Sequence, residues 1–386
     1  MIGFLKNIHD YFKKYDLILW VVSLFISIYC LLLMVSVSVE GVNFFITQLI
    51  AVIIGYIGAI FLAEFDYHIL AKYWQIVVTL CCGLMLSTLV LGSTIEGASG
   101  VNAKAWLRIF GVGFQPSELG KIGFIITLAT HLDFLMKEKM MKSFLHIFLL
   151  GVHLIVPVAI TKLQGDDGAG VIFICIFLVM CFSAGVQLRY FLCLFSVVTA
   201  AMPLIWRFVF SDYQKQRILV MLDLENHKLD KGFQQIQGMI SIGSGKIFGQ
   251  GLFMSPRVKS GIVPMQENDF ILSVIGEQLG FVGCTLALIS LAVLTFAVFK
   301  NGMKACDNLG ALMCFGFFGL LFLQTIFNLG MCLNILPVMG VTLPFFSSGG
   351  SSAACLYLGL GIAQSVYSKR GDSDLVSIGK NTTILS

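Results

Sequence analysis

The chain contains ten separate runs of about twenty mostly apolar residues, and these runs constrain its fold more than any other feature. A backbone segment in lipid must satisfy its own hydrogen bonds, so each run predicts a membrane-spanning helix. Apolar residues make up 58% of the 386 residues and charged residues only 12%, unlike the balance of a soluble domain. The predicted fold is an all-α integral membrane protein, one polytopic domain over residues 1–386. The predicted spans cover residues 17–38, 43–63, 74–94, 116–135, 144–161, 168–186, 189–209, 268–298, 309–335 and 348–368.

Lysine and arginine residues between the predicted spans orient the chain, since cytoplasmic loops carry the excess of positive charge. The two terminal segments and the loops after spans four and eight carry such residues, whereas residues 39–42 and 336–347 carry none. An even number of spans places all the charged segments on one side, so both termini are predicted to be cytoplasmic. These residues are Lys6, Lys13, Lys14, Lys137, Lys139, Lys142, Lys300, Lys304, Lys369 and Arg370.

Two predicted outer loops are long, at about residues 95–115 and 210–267, and long loops in compact proteins often carry function. In the second loop, apolar residues alternate with charges around Ile218 to Leu222, which predicts an amphipathic helix on the membrane surface. The glycine-rich stretch 243–251 then predicts tight turns. Its lysine directly follows the second glycine and no Ser or Thr comes next, unlike a phosphate-binding loop.

Composition also excludes some functions. The formal net charge of +4 is small for a chain of this length and indicates no nucleic-acid partner. The cysteines number 11, an odd count, and most lie inside apolar runs, so they predict free thiols rather than a disulfide framework.

Ionisable residues near the ends of the predicted spans are the candidate functional groups, since such residues in membrane segments are usually paired, functional or both. Trp106 and Arg108 lie in the first long loop, where an interfacial anchor and a snorkelling arginine are the structural alternatives. Glu118 and Lys121 share a face of span four, which fits either an intrahelical ion pair or a cavity role.

Four more acids lie near the start of span six or within span eight. Asp166 and Asp167 precede an apolar run and are close in sequence to Lys162, so helix capping explains one of them. Asp269 opens span eight, either as a cap or as a functional carboxylate. Glu277 lies eight residues further on, about 12 Å deeper at helical rise, and needs a partner or a proton; Lys121 is one candidate.

The segment before span ten breaks regular helix with two prolines and several glycines, LPVMGVTLPFFSSGGSS. Irregular backbone at membrane depth is tolerated only against protein or a water-filled cavity, so it predicts either a structural turn or a cavity floor. Together with Trp106, Arg108, Lys121 and Asp269, it converges on the outer leaflet. Bases there suit a phosphate-bearing ligand, and a carboxylate can take a proton from an attacking hydroxyl.

Five stretches in this order resemble the SEDS (shape, elongation, division, sporulation) family, which includes the bacterial rod-shape and division peptidoglycan polymerases. The resemblance covers about residues 44–368. It is carried by NAKAWLRI…FQPSELGK, YQKQRILVMLDLEN, QIQGMISIGSGKIFGQG, ENDFILSVIGEQLGFVG and NLGMCLNILPVMGVTLPFFSSGGSS.

The resemblance implies a ten-span glycosyltransferase of the bacterial cytoplasmic membrane that polymerises lipid II into glycan strands at the outer face. It implies Asp269 as the catalytic residue that deprotonates the acceptor hydroxyl, with inversion at the donor sugar. Trp106, Arg108, Lys121 and Glu118 become candidate substrate-binding residues. The supporting residues are Glu277, Ser347, Ser348, Gly349 and Gly350. A class B penicillin-binding protein is the implied partner, with membrane lipids around the chain.

The chain departs from the family pattern at Asp166 and Asp167, before Asp269, and at Ser347 and Ser348. These departures concern loop detail, and the short tails favour the rod-shape member over the division member. A divalent cation, Mg²⁺ or Mn²⁺, could bridge Asp269 and a pyrophosphate, although no ligand cluster demands one. Two alternatives stay open, a lipid II flippase or transporter and a non-catalytic scaffold for a penicillin-binding protein.

Overall fold

The computed structural model describes residues 14–37, 44–93, 103–109, 112–224 and 232–371. Lys6, Lys13, the 39–42 loop and parts of both long outer loops lie outside these residues. The described part is helical apart from one short hairpin, β1 (Leu107–Ile109) and β2 (Val112–Phe114). The helices are α1 (Leu17–Val37), α2 (Phe44–Glu64), α3 (Tyr67–Lys72), α4 (Trp74–Leu91), α5 (Pro116–Lys137), α6 (Phe144–Gln164), α7 (Asp167–Ser183), α8 (Leu188–Leu204), α9 (Asp212–Leu222), α10 (Phe233–Ser244), α11 (Pro256–Lys259), α12 (Ile271–Met303), α13 (Asn308–Cys332) and α14 (Gly350–Ser368).

A long helix is present at every segment where the sequence predicts a span. Eight helices of the described chain are long and apolar enough to cross a membrane, which confirms an all-α multi-pass membrane protein. They are α1, α2, α4, α5, α6, α8 with its π-helical continuation Ile205–Val209, α12 and α13. The apolar helix α7 is shorter and α14 is not among the eight, so ten crossings stay a prediction.

The core of the bundle is formed by the helices with the most buried residues, α5, α12, α13 and α14. Helix α14 packs along α2 over most of its length, because small residues let the two backbones approach. A Cβ added at Gly361 would lie 2.6 Å from the carbonyl oxygen of Ala59. Helix α8 has no buried residue, and it packs against the core near its start, through the partly buried Tyr190 and Phe191.

The second outer loop is largely folded. Helix α9 begins with a capping box, in which Ser211 and Gln214 exchange side-chain to backbone hydrogen bonds. This confirms the predicted helix around Ile218 to Leu222. Helices α10 and α11 follow, and α10 packs against the first part of α12.

Helix α12 is broken at Gly280, whose backbone (φ 65°, ψ −159°) is not helical. The glycine-rich stretch 245–251 fills the break. The N–H groups of Gln250 and Gly251 donate to the carbonyls of Glu277 and Gln278 (2.8 and 3.0 Å). The Phe281 N–H donates in turn to the loop, at Lys246 (2.9 Å). The predicted tight turns therefore serve to replace helical hydrogen bonds that the break removes.

All eleven cysteines lie in the described part of the chain, and all of them are free thiols. The predicted absence of a disulfide framework is confirmed. Nine of the thiols lie in the helices that form the bundle core or pack directly on it, so they act as small apolar fillers. They are Cys30, Cys81, Cys82, Cys175, Cys181, Cys284, Cys314, Cys332 and Cys355.

Candidate active site

Four helices begin at one end of the bundle, and the residues at their starts form the candidate active site. Just before α5, the Gln115 N–H donates to Ser351 Oγ in the first turn of α14 (3.1 Å). The Gln115 side chain donates to Asp166, the residue that precedes α7 (2.7 Å). The Ser348 N–H donates to the carbonyl of Glu267, just before α12 (2.7 Å). The starts of α5, α7, α12 and α14 are thus tied together by hydrogen bonds.

Asp269 lies two residues before α12 and is held through its backbone. The Asn328 side chain, on α13, donates to the carbonyls of both Asp269 (2.7 Å) and Val341 (2.8 Å). The next residue, Phe270, is fully buried. The N-cap position of α12 belongs to Phe270, so the alternative of Asp269 as a cap is wrong. The backbone of Asp269 is therefore held in place, while its side-chain carboxylate takes no part in capping α12.

The Phe345–Gly350 turn supports this segment. Ser347 Oγ donates to the carbonyl of Asn268 (2.7 Å) and accepts from the N–H of Leu343 (2.8 Å), so it joins two loops. Gly349 is the N-cap residue of α14, and Gly350 opens the helix where a Cβ would touch α2. The turn thus lies beside the segment that carries Asp269, which fits the supporting role predicted for Ser347, Ser348, Gly349 and Gly350.

The Asp269 carboxylate receives no hydrogen bond from any residue of the described ranges. The side chain is half-buried. Burial raises the pKa of Asp269 to about 6; the Arg217 guanidinium opposes this shift, while Asp166 and Glu267 add to it. A carboxyl with such a pKa is ionised at pH 7 and still basic enough to accept a proton from a hydroxyl as it attacks.

The positive charge of Arg217, on α9, lowers the pKa of Asp269. Its Nη1 donates to the carbonyl of Val338 (2.5 Å), and its guanidinium lies 4.3 Å from the ring centroid of Tyr213. No carboxylate of the described chain forms an ion pair with it, since its charge is held by a carbonyl and a ring. Arg217 is therefore a fixed cation beside the free carboxylate.

Glu118 and Lys121 form an ion pair within α5 (2.8 Å), with side chains 7% and 2% exposed. Ser352, on α14, also donates to Glu118 (3.1 Å). The pair expected from their spacing is confirmed. Because Glu118 compensates the charge of Lys121, this lysine is a weaker attractor for a phosphate than the sequence alone indicates.

Asp166 is the capping residue of α7 and a hub of hydrogen bonds. Its Oδ1 accepts from the Ala169 N–H (3.0 Å), and its Oδ2 accepts from Ser117 Oγ (3.3 Å) as well as Gln115. Burial raises the pKa of Asp166. Asp167 instead pairs with Lys162 (3.1 Å). The expectation that capping explains one of the two acids is confirmed.

A small cavity of about 10 Å³ is lined by Glu118, Lys121 and Asp166. Asp269 lies directly behind its wall, because a Cβ added at Gly340 would be 3.6 Å from Asp269 Oδ2. Gln324 also lines the cavity. It is 1% exposed, and its side-chain Oε1 accepts no hydrogen bond from a described residue. The polar and glycine lining consists of Gln115, Glu118, Lys121, Asp166, Gly168, Gln324, Gly340 and Thr342. The 336–347 segment therefore forms part of a cavity wall.

Trp106 and Arg108 lie on the hairpin before α5 and do not line this cavity. The N–H of Ser93 donates to the carbonyl of Trp106 (2.9 Å), and the Trp106 ring lies over Gly113. Arg108 is exposed and forms no ion pair with a described residue. Of the groups predicted to converge, Lys121 lines the cavity and Asp269 lies behind its wall, whereas Trp106 and Arg108 lie on the adjoining hairpin.

Glu277 does not pair with Lys121, which corrects the sequence expectation. Its Oε1 accepts from the N–H groups of Arg257 (3.0 Å) and Val258 (3.4 Å), at the start of α11. The first part of α12 is covered by the folded segment 232–260, so backbone donors come within reach. Glu277 fixes that loop to α12.

Sequence reasoning misses Arg217, Gln115 and Gln324. Gln324 carries a usable signal, because an uncharged polar side chain interrupts an apolar span. Gln115 precedes a helix-initiating proline and reads as ordinary loop. Arg217 alternates with apolar residues on α9, so the pattern indicates a membrane-surface face, and only the folded loop brings it to Asp269.

Known proteins resemble the chain along nearly its whole length. A "Probable peptidoglycan glycosyltransferase FtsW" of Geobacter sp. (strain M18) is 31% identical over 369 residues, covering 92% of this chain and 98% of that protein. The "Peptidoglycan glycosyltransferase MrdB" of Escherichia coli (strain K12) is 28% identical, covering 90% and 92%. Relatives of nearly equal identity thus carry both names, so the comparisons favour neither the rod-shape nor the division branch.

Solved structures agree with the fold described above. A chain from the structure described as "Structural coordination of polymerization and crosslinking by a peptidoglycan synthase complex" superposes with a TM-score of 0.75 at 26% identity. It covers 92% of this chain and 98% of that one. The cell cycle protein family of FtsW, RodA and SpoVE matches residues 13–371. By this match over almost the entire length, the chain belongs to the FtsW/RodA/SpoVE family of cell cycle proteins.

Proposed function

We propose that this protein is a peptidoglycan glycosyltransferase that polymerises lipid II into glycan strands for cell elongation or division. The observation that carries the proposal is the Asp269 carboxylate, which is half-buried, free of hydrogen bonds and set behind the wall of a polar cavity. Membership of the family and relatives named as peptidoglycan glycosyltransferases support the substrate class.

In the proposed reaction Asp269 acts as the general base. It takes the proton from the 4-hydroxyl of the acceptor sugar as that oxygen attacks C1 of the donor sugar. The bond between C1 and the donor's pyrophosphate breaks, and undecaprenyl pyrophosphate leaves with the electron pair. Attack opposite the leaving group inverts an α-linked donor to a β-linked product. A pyrophosphate leaves without protonation, so one carboxylate suffices where glycoside hydrolases use two.

The leaving pyrophosphate needs compensating charge, and Arg217 and Arg108 are the arginines we assign to it. Neither forms an ion pair with a described residue, and fixed cations stabilise charge as it develops in the transition state. Lys121 and Glu118 together are neutral, so we assign them to orienting polar groups of the substrate. Trp106 offers a flat apolar face on the same hairpin as Arg108.

We further propose ten crossings, cytoplasmic termini and an active site facing outward, with residues 210–267 as the outer loop. A class B penicillin-binding protein is the proposed partner, supported by the polymerisation and crosslinking complex that shares the fold. Neither the rod-shape nor the division role is favoured, since relatives of nearly equal identity carry both names. A divalent cation also stays a prediction, since no three His, Cys, Asp or Glu side chains of the described residues form a cluster.

The decisive test is polymerisation of purified lipid II by the full chain, with and without its partner and with and without Mg²⁺ or Mn²⁺. The wild type is expected to make glycan strands, and Asp269→Ala and Asp269→Asn to reduce the rate at least about a hundredfold. Normal strand formation by either variant would refute the catalytic assignment. Movement of lipid II across a vesicle without polymerisation would favour the transporter.

Two controls separate lost chemistry from lost folding. Asp212→Asn removes an exposed acid of the same outer region (side chain 96% exposed) and is expected to leave the rate unchanged. Asp269→Asn is expected to unfold at a temperature no lower than the wild type, because it removes a charge whose ionisation burial opposes. Cell growth with Asp269→Ala at normal protein levels would instead support the scaffold.

A further inference from the structure

A second polar cavity lies at the far end of α12 from Asp269. It has a volume of about 220 Å³ and is formed by the start of α1, the end of α12 and the end of α14. Lys300 follows Asp269 by 31 residues in the numbering, which corresponds to roughly 45 Å at helical rise. The cavity is therefore remote from the candidate active site, at the end that the charge pattern predicts to be cytoplasmic.

Cations dominate the lining of this cavity. Lys300, Lys304 and Arg370 line it together with one carboxylate, Asp16. None of the three cations forms an ion pair with a carboxylate of the described chain; Arg370 lies over an aromatic ring, 3.5 Å from its centroid. Asp16 is already engaged, because its Oδ1 accepts from the N–H of Ile18 at the start of α1 (3.0 Å). The balance of charge favours an anion.

Asn301 supplies an independent observation. It also lines the cavity, it is 2% exposed, and its side-chain Nδ2 donates to no group of the described protein. Buried polar groups are nearly always hydrogen-bonded, so an unpaired donor beside three cations indicates that its acceptor comes from a ligand. The acceptor has to be negatively charged or strongly polar to suit these neighbours.

The remaining wall is apolar and open to the outside of the bundle. Ile18, Val293 and Phe296 line the cavity with exposed fractions of 48%, 41% and 64%. Val293 lies seven residues before Lys300, so the apolar wall extends about 10 Å along α12 from the cations toward the membrane interior. An inorganic anion makes no favourable contact with this apolar wall. A lipid matches the whole cavity, because its headgroup can contact the cations and its acyl chain the apolar wall.

We propose that this cavity binds an anionic phospholipid of the cytoplasmic leaflet. Lys300, Lys304 and Arg370 contact the phosphate, Asn301 donates to one of its oxygens, and an acyl chain lies against Val293 and Phe296. Basic pockets between membrane helices are suited to anionic headgroups, because charge and hydrogen bonds act together there. The proposal stands apart from the polymerase assignment and needs no substrate at Asp269.

Binding is tested on the full chain, purified in neutral detergent and stripped of lipid, by native mass spectrometry with phosphatidylglycerol, phosphatidylcholine or inorganic phosphate. We expect the first phosphatidylglycerol to bind at least about tenfold tighter than phosphatidylcholine. Lys300→Gln/Lys304→Gln/Arg370→Gln is expected to lose that preference. Lys72→Gln/Lys139→Gln/Lys142→Gln, an equal loss of charge on exposed lysines outside the cavity, is expected to keep it.

Asn301→Leu distinguishes a ligand group from a packing group. It is expected to weaken phosphatidylglycerol binding severalfold while the lipid-free unfolding temperature stays equal or rises, because an unpaired buried donor disappears. Equal phosphatidylglycerol binding by Asn301→Leu and the wild type would show that the Asn301 amide does not contact the lipid. The lipid proposal is overturned if the cavity and control triple variants bind alike, or if inorganic phosphate competes as strongly as the lipid.

Discussion

At Asp269 the protein combines a fixed backbone with an unpaired carboxylate. The Asn328 amide holds the backbone carbonyl, and nothing in the described chain donates to the side chain. Such an arrangement costs stability, since a buried carboxylate without donors is poorly solvated. It suits a general base, because the proton acceptor is oriented in advance and no hydrogen bond has to break before it acts.

The pH dependence of the reaction follows from this environment. Burial raises the pKa of Asp269 to about 6, and only the ionised carboxylate accepts a proton. Activity, measured as kcat/KM for lipid II, is expected to fall about tenfold per pH unit below that value. It should be nearly level from pH 7 to 8. An acid limb near pH 4 would contradict the raised pKa.

Arg217 offers a matched pair of variants for the same profile. The guanidinium lowers the pKa of Asp269, so Arg217→Gln is expected to move the acid limb to higher pH. Arg217→Lys keeps the charge and is expected to move it less. The measurement is kcat/KM over pH 5–8 for both variants. Identical profiles for wild type and Arg217→Gln would show that the two groups are not coupled.

At the scale of elements, the break in α12 decides how the outer loop is attached. Gly280 opens the helix, and the loop residues 245–251 complete its hydrogen bonds. Glu277, just before the break, accepts from the start of α11. Through these contacts the segment 232–260 is docked on the same helix that Asp269 precedes. Arg217, on α9, is held by a different contact, its hydrogen bond to the carbonyl of Val338.

Gly280→Ala is therefore expected to destabilise the protein. The φ of 65° with ψ of −159° is accessible essentially to glycine alone, and a Cβ would lie 2.6 Å from the carbonyl oxygen of Ile247. The strain is on the order of 1–3 kcal/mol, so the unfolding temperature should drop by several degrees. A thiol-reactive dye that reports exposure of the free cysteines can follow the unfolding.

The matched control is another glycine in a long helix. Gly151, in α6, has open space where a Cβ would be, so Gly151→Ala is expected to leave the unfolding temperature equal or slightly higher. If Gly280→Ala and Gly151→Ala unfolded at the same temperature, alanine would adopt the backbone conformation of residue 280 without strain.

At the scale of the whole molecule, polar groups gather at two opposite ends. The starts of α5, α7, α12 and α14 meet around Asp269, while the end of α12 and the start of α1 enclose the cationic cavity. In the proposed orientation, the candidate active site faces the outer surface and the basic cavity faces the lipids of the inner leaflet.

The number of crossings can be tested at Gly185, in the turn between α7 and α8. Its φ of 79° and the open space around it favour tolerance of an inserted epitope. Ten crossings place this turn inside, on the same side as Lys139, whereas the 254–255 loop is outside. We expect antibody access at 185 only after permeabilisation. Access from outside at 185, with access at 254 only after permeabilisation, would show that α7 alone does not cross.

Much of this molecule could be predicted from the sequence. Spans follow from runs of apolar residues, because lipid demands helices of a given length, and the boundaries observed for α1, α2 and α13 differ from prediction by at most three residues. The Glu118–Lys121 pair follows from helical spacing, and the capping role of Asp166 from its place before an apolar run. Local rules decide these features, so they need no knowledge of distant contacts.

Tertiary structure alone decided the partners of the charged groups. Glu277 has Arg257 and Val258 as neighbours and not Lys121, because the outer loop folds back into the break at Gly280. Arg217 is held near Asp269 by its hydrogen bond to the carbonyl of Val338, while Arg108 lies on its hairpin. Sequence determines which segments enter the membrane, since burial in lipid is a property of each segment. Which charges meet depends on packing between segments distant along the chain, and no local pattern encodes it.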